Sequence, residues 1–216
     1  YYGDPFRTIT DAEAERYWNY IEKRGERIPL QHITGSQEFM GYEFLVNEHV
    51  LVPRQDTETL VEEGLKVLKP DMKVLDMCTG SGCIVLSLLK MGSERKHFTG
   101  LEGTGVDISE EALAVAKENG SRLNVSVTWT LSNLFENISG EFDLIVSNPP
   151  YIRTDVIQSL EDEVKLHDPW IALDGHDDGL YFYRRIVNES IFYMKAGGWL
   201  MFEIGYDQAK EVSELM

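Results

Sequence analysis

The sequence contains few cysteines, and their spacing excludes the common cysteine sites. Only Cys78 and Cys83 occur among 216 residues, without the C-x-x-C spacing of a redox or zinc pair, and the five histidines are scattered. We therefore expect no metal site and a reduced, cytoplasmic setting.

Long hydrophobic runs are also absent. The longest ones, such as residues 84–89, are far shorter than the roughly 20 residues that span a bilayer. No basic segment followed by an apolar stretch occurs at the N-terminus, so we expect no signal peptide and no membrane partner.

The length suits one α/β core with a small appendage, and we expect a monomer.

Positive charge is scarce. The chain has 37 acidic and 20 basic side chains, which gives a formal net charge of −17. A field of this sign repels phosphate backbones and raises the cost of non-specific binding to nucleic acid. The charge therefore disfavours DNA or RNA as a partner, although a local basic patch can sit on an acidic protein.

The apolar pattern predicts an α/β fold. Thr10 and Glu13 form a capping-box pattern that predicts a helix from about Asp11 to Lys23, and alternating apolar residues from Glu38 to Val52 predict a β-hairpin. After Pro53, strands alternate with helices, which is typical of a doubly wound parallel sheet. The predicted helices are Thr57 to Leu68, Cys83 to Met91, Glu110 to Asn119 and Leu180 to Met194, and the predicted strands are Lys73 to Asp76, Thr104 to Asp107, Val125 to Thr130, Phe142 to Ser147 and Trp199 to Ile204.

A glycine-containing loop connects the first of these strands to the next helix. Residues 74–82 read VLDMCTGSG, and glycines at such a turn let the backbone approach a ligand closely. The third glycine of G-x-G-x-x-G and the Lys-Ser/Thr ending of a P-loop are both missing. The loop therefore suits a nucleoside better than a pyrophosphate.

Two acidic residues lie at strand ends near this loop. Asp107 is placed to accept hydrogen bonds from two ribose hydroxyls, or it caps the helix that begins near Ser109. Asp76 either caps the following loop or steers a cationic part of the ligand through backbone or water. The glycine loop favours ribose binding by Asp107.

The segment Asn148-Pro149-Pro150-Tyr151 follows an apolar strand. The two prolines make this turn rigid and leave carbonyl acceptors in place of N–H donors. An amide or aryl-amine nitrogen is a poor nucleophile, and two acceptors, the Asn148 side-chain oxygen and the Pro149 carbonyl, would hold its N–H bonds and stabilise the growing positive charge. Tyr151 can stack on the planar group. The turn thus predicts S-adenosylmethionine-dependent methylation of a planar nitrogen.

The alternative is an ordinary Pro-Pro turn at the end of a strand. Because this turn and the glycine loop both follow strands of the same sheet, they are expected at one carboxyl edge, where open sheets bind ligands. That joint placement favours the catalytic interpretation.

The motifs together resemble the release-factor glutamine methyltransferases, the HemK or PrmC family. Residues 29–35 (PLQHITG), 39–44 (FMGYEF), 51–58 (LVPRQDTE), 76–82, 148–151 and 175–184 carry the likeness, which covers nearly the whole chain. The turn at residues 148–151 is shared with many nucleic-acid amino-methyltransferases, whereas residues 39–44 and 51–58 are more specific.

The resemblance implies a Rossmann-like, seven-stranded class I methyltransferase sheet with an N-terminal helical domain that docks the release factor. The implied domains are a partial helical region at residues 1–36, a hairpin linker at 37–52 and the methyltransferase domain at 53–216, with the final strand pair expected beyond the chain. The implied substrate is the glutamine amide of the release factor's Gly-Gly-Gln loop, methylated at N5. The implied cofactor-binding residues are Asp76, Cys78, Thr79, Gly80, Ser81, Gly82, Asp107, Asn133, Leu134 and Asn148; those implied for the substrate are Asn148, Pro149, Pro150 and Tyr151, of which Asn148, Pro149 and Tyr151 are expected to be catalytic.

Some residues depart from the family pattern. Asn133 stands where an aspartate is often found, so its oxygen must turn inward to accept from the adenine amine. Asp168-Pro169 replaces a common Glu-Pro, and Gln55 replaces a usual proline. Asp56 is a plausible helix N-cap, and Arg54 could anchor the loop or the substrate.

Two rival functions remain open from the sequence. One is an amino-methyltransferase acting on a nucleobase, and the other is a catalytically silent methyltransferase-like binding module. A nicotinamide dehydrogenase is disfavoured, because the glycine spacing is wrong.

Overall fold

The N-terminal part of the chain is helical. The structure is a computed structural model that describes residues 8–216. Helix α1 (Asp11–Gly25) has the predicted capping box, with Thr10 and Glu13 bonded reciprocally, and helix α2 (Leu30–Thr34) follows it. Three apolar side chains of α1, those of Tyr17, Trp18 and Ile21, are exposed.

A β-hairpin follows, as predicted, but it is shorter than expected. Strands β1 (Ser36–Phe39) and β2 (Tyr42–Leu45) are antiparallel, and Phe39 packs edge-to-face on Phe44 in the core. The extension of the hairpin to Val52 was wrong. Val46 and Val50 alternate because both are buried against a later helix, not because they belong to a strand.

The main sheet has five parallel strands within residues 8–216, in the order β5-β4-β3-β6-β7. From β3 the chain adds β4 and β5 on one side of the sheet and then β6 and β7 on the other. The strand order therefore reverses between β3 and β6, and open sheets bind ligands at such a switch point. The α/β class is confirmed. The elements are α3 (Gln55–Val67), β3 (Lys73–Met77), α4 (Cys83–Lys96), β4 (Glu102–Asp107), α5 (Glu110–Leu123), β5 (Thr128–Leu131), β6 (Phe142–Ser147), α6 (Thr154–Ile157), α7 (Asp162–Lys165), α8 (Trp170–Leu173), α9 (Tyr181–Ser190), β7 (Met194–Phe202) and α10 (Ala209–Leu215).

The core lies on both faces of the neighbouring strands β3 and β6. On β3, Val74 faces the helices α3 and α4, and the next residue, Leu75, faces the opposite side with Ile145 and Ile186. Both strands are buried on both faces, as expected for a parallel sheet covered by helices. No helix within residues 8–216 has the length and apolar character that a membrane crossing needs.

Several predicted boundaries were wrong, for identifiable reasons. Strand β4 begins at Glu102 although glycines break its apolar pattern: a Cβ on Gly103 would lie 2.5 Å from a methyl carbon of Leu89, so helix α4 requires glycine there. Strand β7 begins at Met194, where a helix was predicted, and it continues through Gly197 at φ +79°. Asp56 is not a helix cap: α3 begins after Arg54, and no side chain caps it.

Candidate active site

A cavity of about 510 Å³ opens at the carboxyl edge of the sheet, within the roughly 300–1,000 Å³ of typical small-molecule sites. It is bordered by the ends of β3, β4 and β6, by the start of α3, and by the segment around α8. Of the predicted site residues, those lining it are Cys78, Thr79, Gly80, Ser81, Asp107, Asn133, Leu134, Asn148 and Pro150. Asp76, Gly82, Pro149 and Tyr151 are not in the lining.

The glycine loop wraps one end of the cavity. Cys78, Gly80 and Gly82 have φ of 60°, 52° and 79°, so three left-handed residues turn the chain within five positions. A Cβ on Gly80 would meet nothing within 4 Å, so the backbone there is open to a ligand. A Cβ on Gly82 would lie 2.9 Å from the ring of Trp129, so Gly82 serves packing beneath the loop.

Asp107 holds the loop from the end of β4. Its carboxylate accepts from the Gly80 N–H at 2.8 Å and from the Ser109 N–H at 3.0 Å. The helix-cap alternative is wrong, because Ser109 supplies the side-chain cap of α5. Burial raises the pKa of Asp107 from its usual value. Each oxygen keeps a lone pair for a further donor from the cavity, as a ribose diol would supply.

Asp76 lies beneath the loop, fully buried. One oxygen accepts from the Thr79 hydroxyl at 2.6 Å and the Val85 N–H at 3.3 Å, whereas the other has no partner among residues 8–216. Burial raises its pKa to about 7. The loop-capping alternative therefore describes its contacts, and any influence on a ligand has to pass through the loop backbone.

Asn133 and Leu134 form the wall expected for the adenine ring. The Asn133 amide donates to Glu136 at 2.7 Å and accepts from Arg185 at 3.5 Å. The Asn133 oxygen therefore faces a guanidinium, and it would have to turn to accept from an adenine amine. Leu134 is buried at φ 52°, and both Leu134 and Ile108 contribute apolar surface to the cavity.

Asn148 leads the rigid turn at the end of β6. Its amide nitrogen lies 3.5 Å from the hydroxyl of buried Thr57, at the start of α3. The backbone of Tyr151 is held from behind: a Cβ on Gly175 would lie 2.7 Å from its Cα, and one on Gly179 would lie 2.4 Å from its carbonyl oxygen. The turn is therefore clamped by the segment 175–184 that the sequence likeness included.

An ion pair and helix α8 border the cavity, and the sequence did not predict this pairing. The guanidinium of Arg54 forms an ion pair at 3.0 Å with Asp168, whose side chain has no solvent exposure, and this pair fixes the start of α8. From α8, Trp170 and Ile171 line the cavity with their side chains about half exposed. The pairing joins residues 114 positions apart, and no local pattern reports it.

The polar groups of the cavity suit an organic ligand. Within residues 8–216, no cluster of three or more His, Cys, Asp or Glu side chains is arranged to hold a metal ion, and both cysteines are free. The site combines a carboxylate beside backbone N–H groups, an apolar slot and an amide-bearing turn, which suits a nucleoside next to a planar polar group.

Comparisons with known proteins show which families the chain resembles. Residues 55–163 match the Methyltransferase small domain family, and residues 1–35 match the PrmC N-terminal domain family. The release factor glutamine methyltransferase of Caulobacter vibrioides is 42% identical over 98% of this chain and 73% of its own length, and that of Geobacter sulfurreducens is 45% identical over 89% and 66%. The chain thus spans about two thirds to three quarters of these relatives.

Solved structures show the same fold at low identity. A methyltransferase from Pyrococcus furiosus superposes with a TM-score of 0.57 at 15% identity, covering 95% of this chain and 86% of that one. A SAM-dependent methyltransferase from Agrobacterium tumefaciens gives 0.54 at 17%, covering 84% and 56%. With the fold, the site and the relatives taken together, the chain belongs to the release factor glutamine methyltransferase family.

Proposed function

We propose that this protein transfers a methyl group from S-adenosylmethionine to the side-chain amide N5 of the glutamine in the Gly-Gly-Gln loop of a peptide chain release factor. The observation that carries the proposal is the position of Asn148, at the cavity that the glycine loop and Asp107 border, in a chain 42% identical to such an enzyme. Release factors are protein substrates, which agrees with a net charge of −17 that opposes nucleic acid.

The cavity fits the proposed cofactor. The Asp107 carboxylate would accept from the ribose hydroxyls, Leu134 and Ile108 would sandwich the adenine, and the open face of Gly80 leaves room for the methionine portion. Bound there, the cofactor supplies an electrophilic methyl on a sulfonium. The negative charge of Asp107, which accepts from the Gly80 N–H of the loop, favours a cation in this place.

Asn148 and Pro149 would act on the nucleophile. The Asn148 side-chain oxygen and the Pro149 carbonyl accept the two N–H bonds of the glutamine amide and hold its nitrogen in line with the methyl group. As the N–C bond forms and the sulfur keeps the C–S electron pair, the nitrogen becomes positive, and the two acceptors stabilise that charge. The extra proton then leaves to solvent, so no base is needed before transfer. Tyr151 would border the amide plane.

Mass spectrometry tests this function. A release factor incubated with the protein and S-adenosylmethionine should gain 14 Da, the mass that one methyl adds, on the Gly-Gly-Gln peptide, and transfer RNA, ribosomal RNA and duplex DNA should gain none. A release factor with the loop glutamine changed to glutamate is the matched control. Methyl transfer to a nucleic acid and not to the peptide would refute the proposal.

A further inference from the structure

Glu203 lies beside the proposed catalytic amide, at the end of the neighbouring strand. Strand β7 pairs with β6 so that Phe202 is opposite Ser147, and the Glu203 N–H donates to the Ser147 carbonyl at 3.0 Å. Glu203 therefore continues this pairing one residue beyond β7, next to Asn148, which directly follows Ser147. Its own carbonyl accepts from the hydroxyl of buried Tyr183 at 3.0 Å, which fixes the backbone.

The carboxylate of Glu203 is held among polar neighbours without a cation. One oxygen, Oε2, is buried and has no hydrogen-bond partner among residues 8–216. Burial raises the pKa of Glu203, and interactions with the Thr57 hydroxyl and the Asn148 amide oppose that rise. The only charged group of the described chain that contributes to this shift is another acid, Asp56.

Such a placement is costly for stability alone. A partly buried carboxylate without a cation loses solvation that its neighbours only partly replace, and groups held at such a cost are concentrated at functional sites. Burial raises the pKa values of Tyr151 and Tyr183, and the charge of Glu203 adds to both rises, so Glu203 interacts electrostatically with Tyr151 of the rigid turn. The location therefore points to a role in the chemistry of that turn.

The proposed reaction requires one particular orientation of Asn148. An amide side chain has a donor end and an acceptor end, and only the oxygen can accept an N–H bond from the substrate. The Asn148 nitrogen must then find an acceptor on the protein side. The Thr57 hydroxyl, at 3.5 Å, is at the limit of a hydrogen bond, whereas a carboxylate is the stronger acceptor.

We propose that Glu203 is a positioning residue for methyl transfer: its carboxylate accepts from the Asn148 amide nitrogen and turns the Asn148 oxygen towards the substrate nitrogen. The inference rests on the proposed function. Because Glu203 acts through Asn148, it affects the rate of transfer and leaves cofactor binding unchanged.

Two substitutions of Glu203 test this orientation. Glu203→Leu removes the acceptor and should lower kcat for a release factor about 10- to 100-fold, the size expected when a reacting group is misplaced. Glu203→Gln keeps an acceptor oxygen and should stay within about fivefold of wild type. Asp56→Asn, which removes the exposed acid near Glu203, is the matched control and should keep kcat within about twofold. The Kd for S-adenosylmethionine, measured by calorimetry, should be the same for all of them.

A double-mutant cycle with Asn148→Ala separates positioning from a structural role. In single-turnover assays, Glu203→Leu should cause little further loss in the Asn148→Ala background, because the two residues act as a unit. An equal loss in both backgrounds would overturn the proposal, as would a Glu203→Leu enzyme with wild-type kcat or a Glu203→Gln enzyme as slow as Glu203→Leu. If wild type itself transfers no methyl group to the release factor, the proposed function fails instead.

The pH profile provides a readout that does not need the leucine variant to fold. At saturating cofactor, wild-type kcat should fall as pH decreases through the raised pKa of Glu203, because the protonated carboxyl is a weaker acceptor. Asp56, Cys83, Tyr151 and Tyr183 also interact with this carboxylate, and the thiol and the tyrosines titrate far above this range. In the Asp76→Asn background, which lacks the titration near pH 7, Glu203→Gln should remove the acidic limb, and its persistence there would overturn the proposal.

Discussion

Replacing Asp76 by asparagine should change how the stability of the protein depends on pH. Asp76 is fully buried, and burial raises its pKa from 3.8 to about 7. The unfolded chain therefore releases this proton near pH 4, whereas the folded protein keeps it until about pH 7. Between these values the folded state binds more protons, so the stability that the proton provides is present at low pH and is lost as pH rises through 7.

The size of this effect follows from the shift. At 1.36 kcal/mol per pKa unit, ionising Asp76 should lower the free energy of unfolding by about 2 kcal/mol between pH 5.5 and pH 8. Asp76→Asn keeps an acceptor oxygen for Thr79 and Val85 and cannot ionise, so its stability should lack this loss. The raised pKa values of Asp107 and Asp168 act in the same direction in both proteins and largely cancel in the comparison.

Urea unfolding of the cofactor-free protein at several pH values measures the effect. The difference in unfolding free energy between Asp76→Asn and wild type should grow with pH by about 2 kcal/mol over this range. Asp143→Asn is the control, since the pKa of Asp143 is lowered and its titration therefore lies below this pH range. Parallel pH profiles for wild type and Asp76→Asn would refute the reasoning.

Three further predictions concern the Asn148 turn, strand β4 and the Arg54–Asp168 ion pair. Asn148→Ala should reduce kcat at least about 100-fold and leave the S-adenosylmethionine Kd within a few-fold by calorimetry, and an equal loss of both would contradict its role at the nucleophile. Gly105→Ala places a Cβ 2.3 Å from the Trp129 ring and should cost about 1–3 kcal/mol in urea unfolding, with unchanged stability as the contrary result. Arg54→Ala leaves buried Asp168 unpaired and should cost about 1–2 kcal/mol, since the arginine is half exposed; a second change, Asp168→Asn, should restore part of this, and no recovery would count against the ion pair.

Elements with strong local signals were predictable. The capping box at Thr10 and Glu13 sets the start of α1, and the apolar run of β6 was predicted from Phe142 to Ser147, as the structure has it. Where glycine interrupts the apolar pattern, prediction failed. Gly103 and Gly197 obscured the starts of β4 and β7. Glycine is needed at 103 because helix α4 packs closely there, and at 197 because the backbone is left-handed.

The candidate site was predictable to the extent that it follows strand ends. Gly80, Asp107 and Asn148 lie at or shortly after the ends of β3, β4 and β6, and parallel strands bring such residues to one edge. Tyr151 was expected beside them, yet it is outside the cavity lining, and its backbone packs closely against Gly175 and Gly179. Its predicted role stays a prediction.

The sequence by itself determined the α/β class, the edge of the sheet that carries the candidate site, and the rigid Pro-Pro turn that follows Asn148, because strand periodicity and proline geometry act over a few residues. Only the tertiary structure decided which groups surround that turn. Next to Asn148 lie Thr57 and Glu203, and the Arg54–Asp168 pair joins the start of α3 to the segment before α8. The packing of α3, α8 and β7 brings these residues together from positions far apart in the chain. Contacts of this kind depend on distances in space, and one sequence holds no local pattern that reports them.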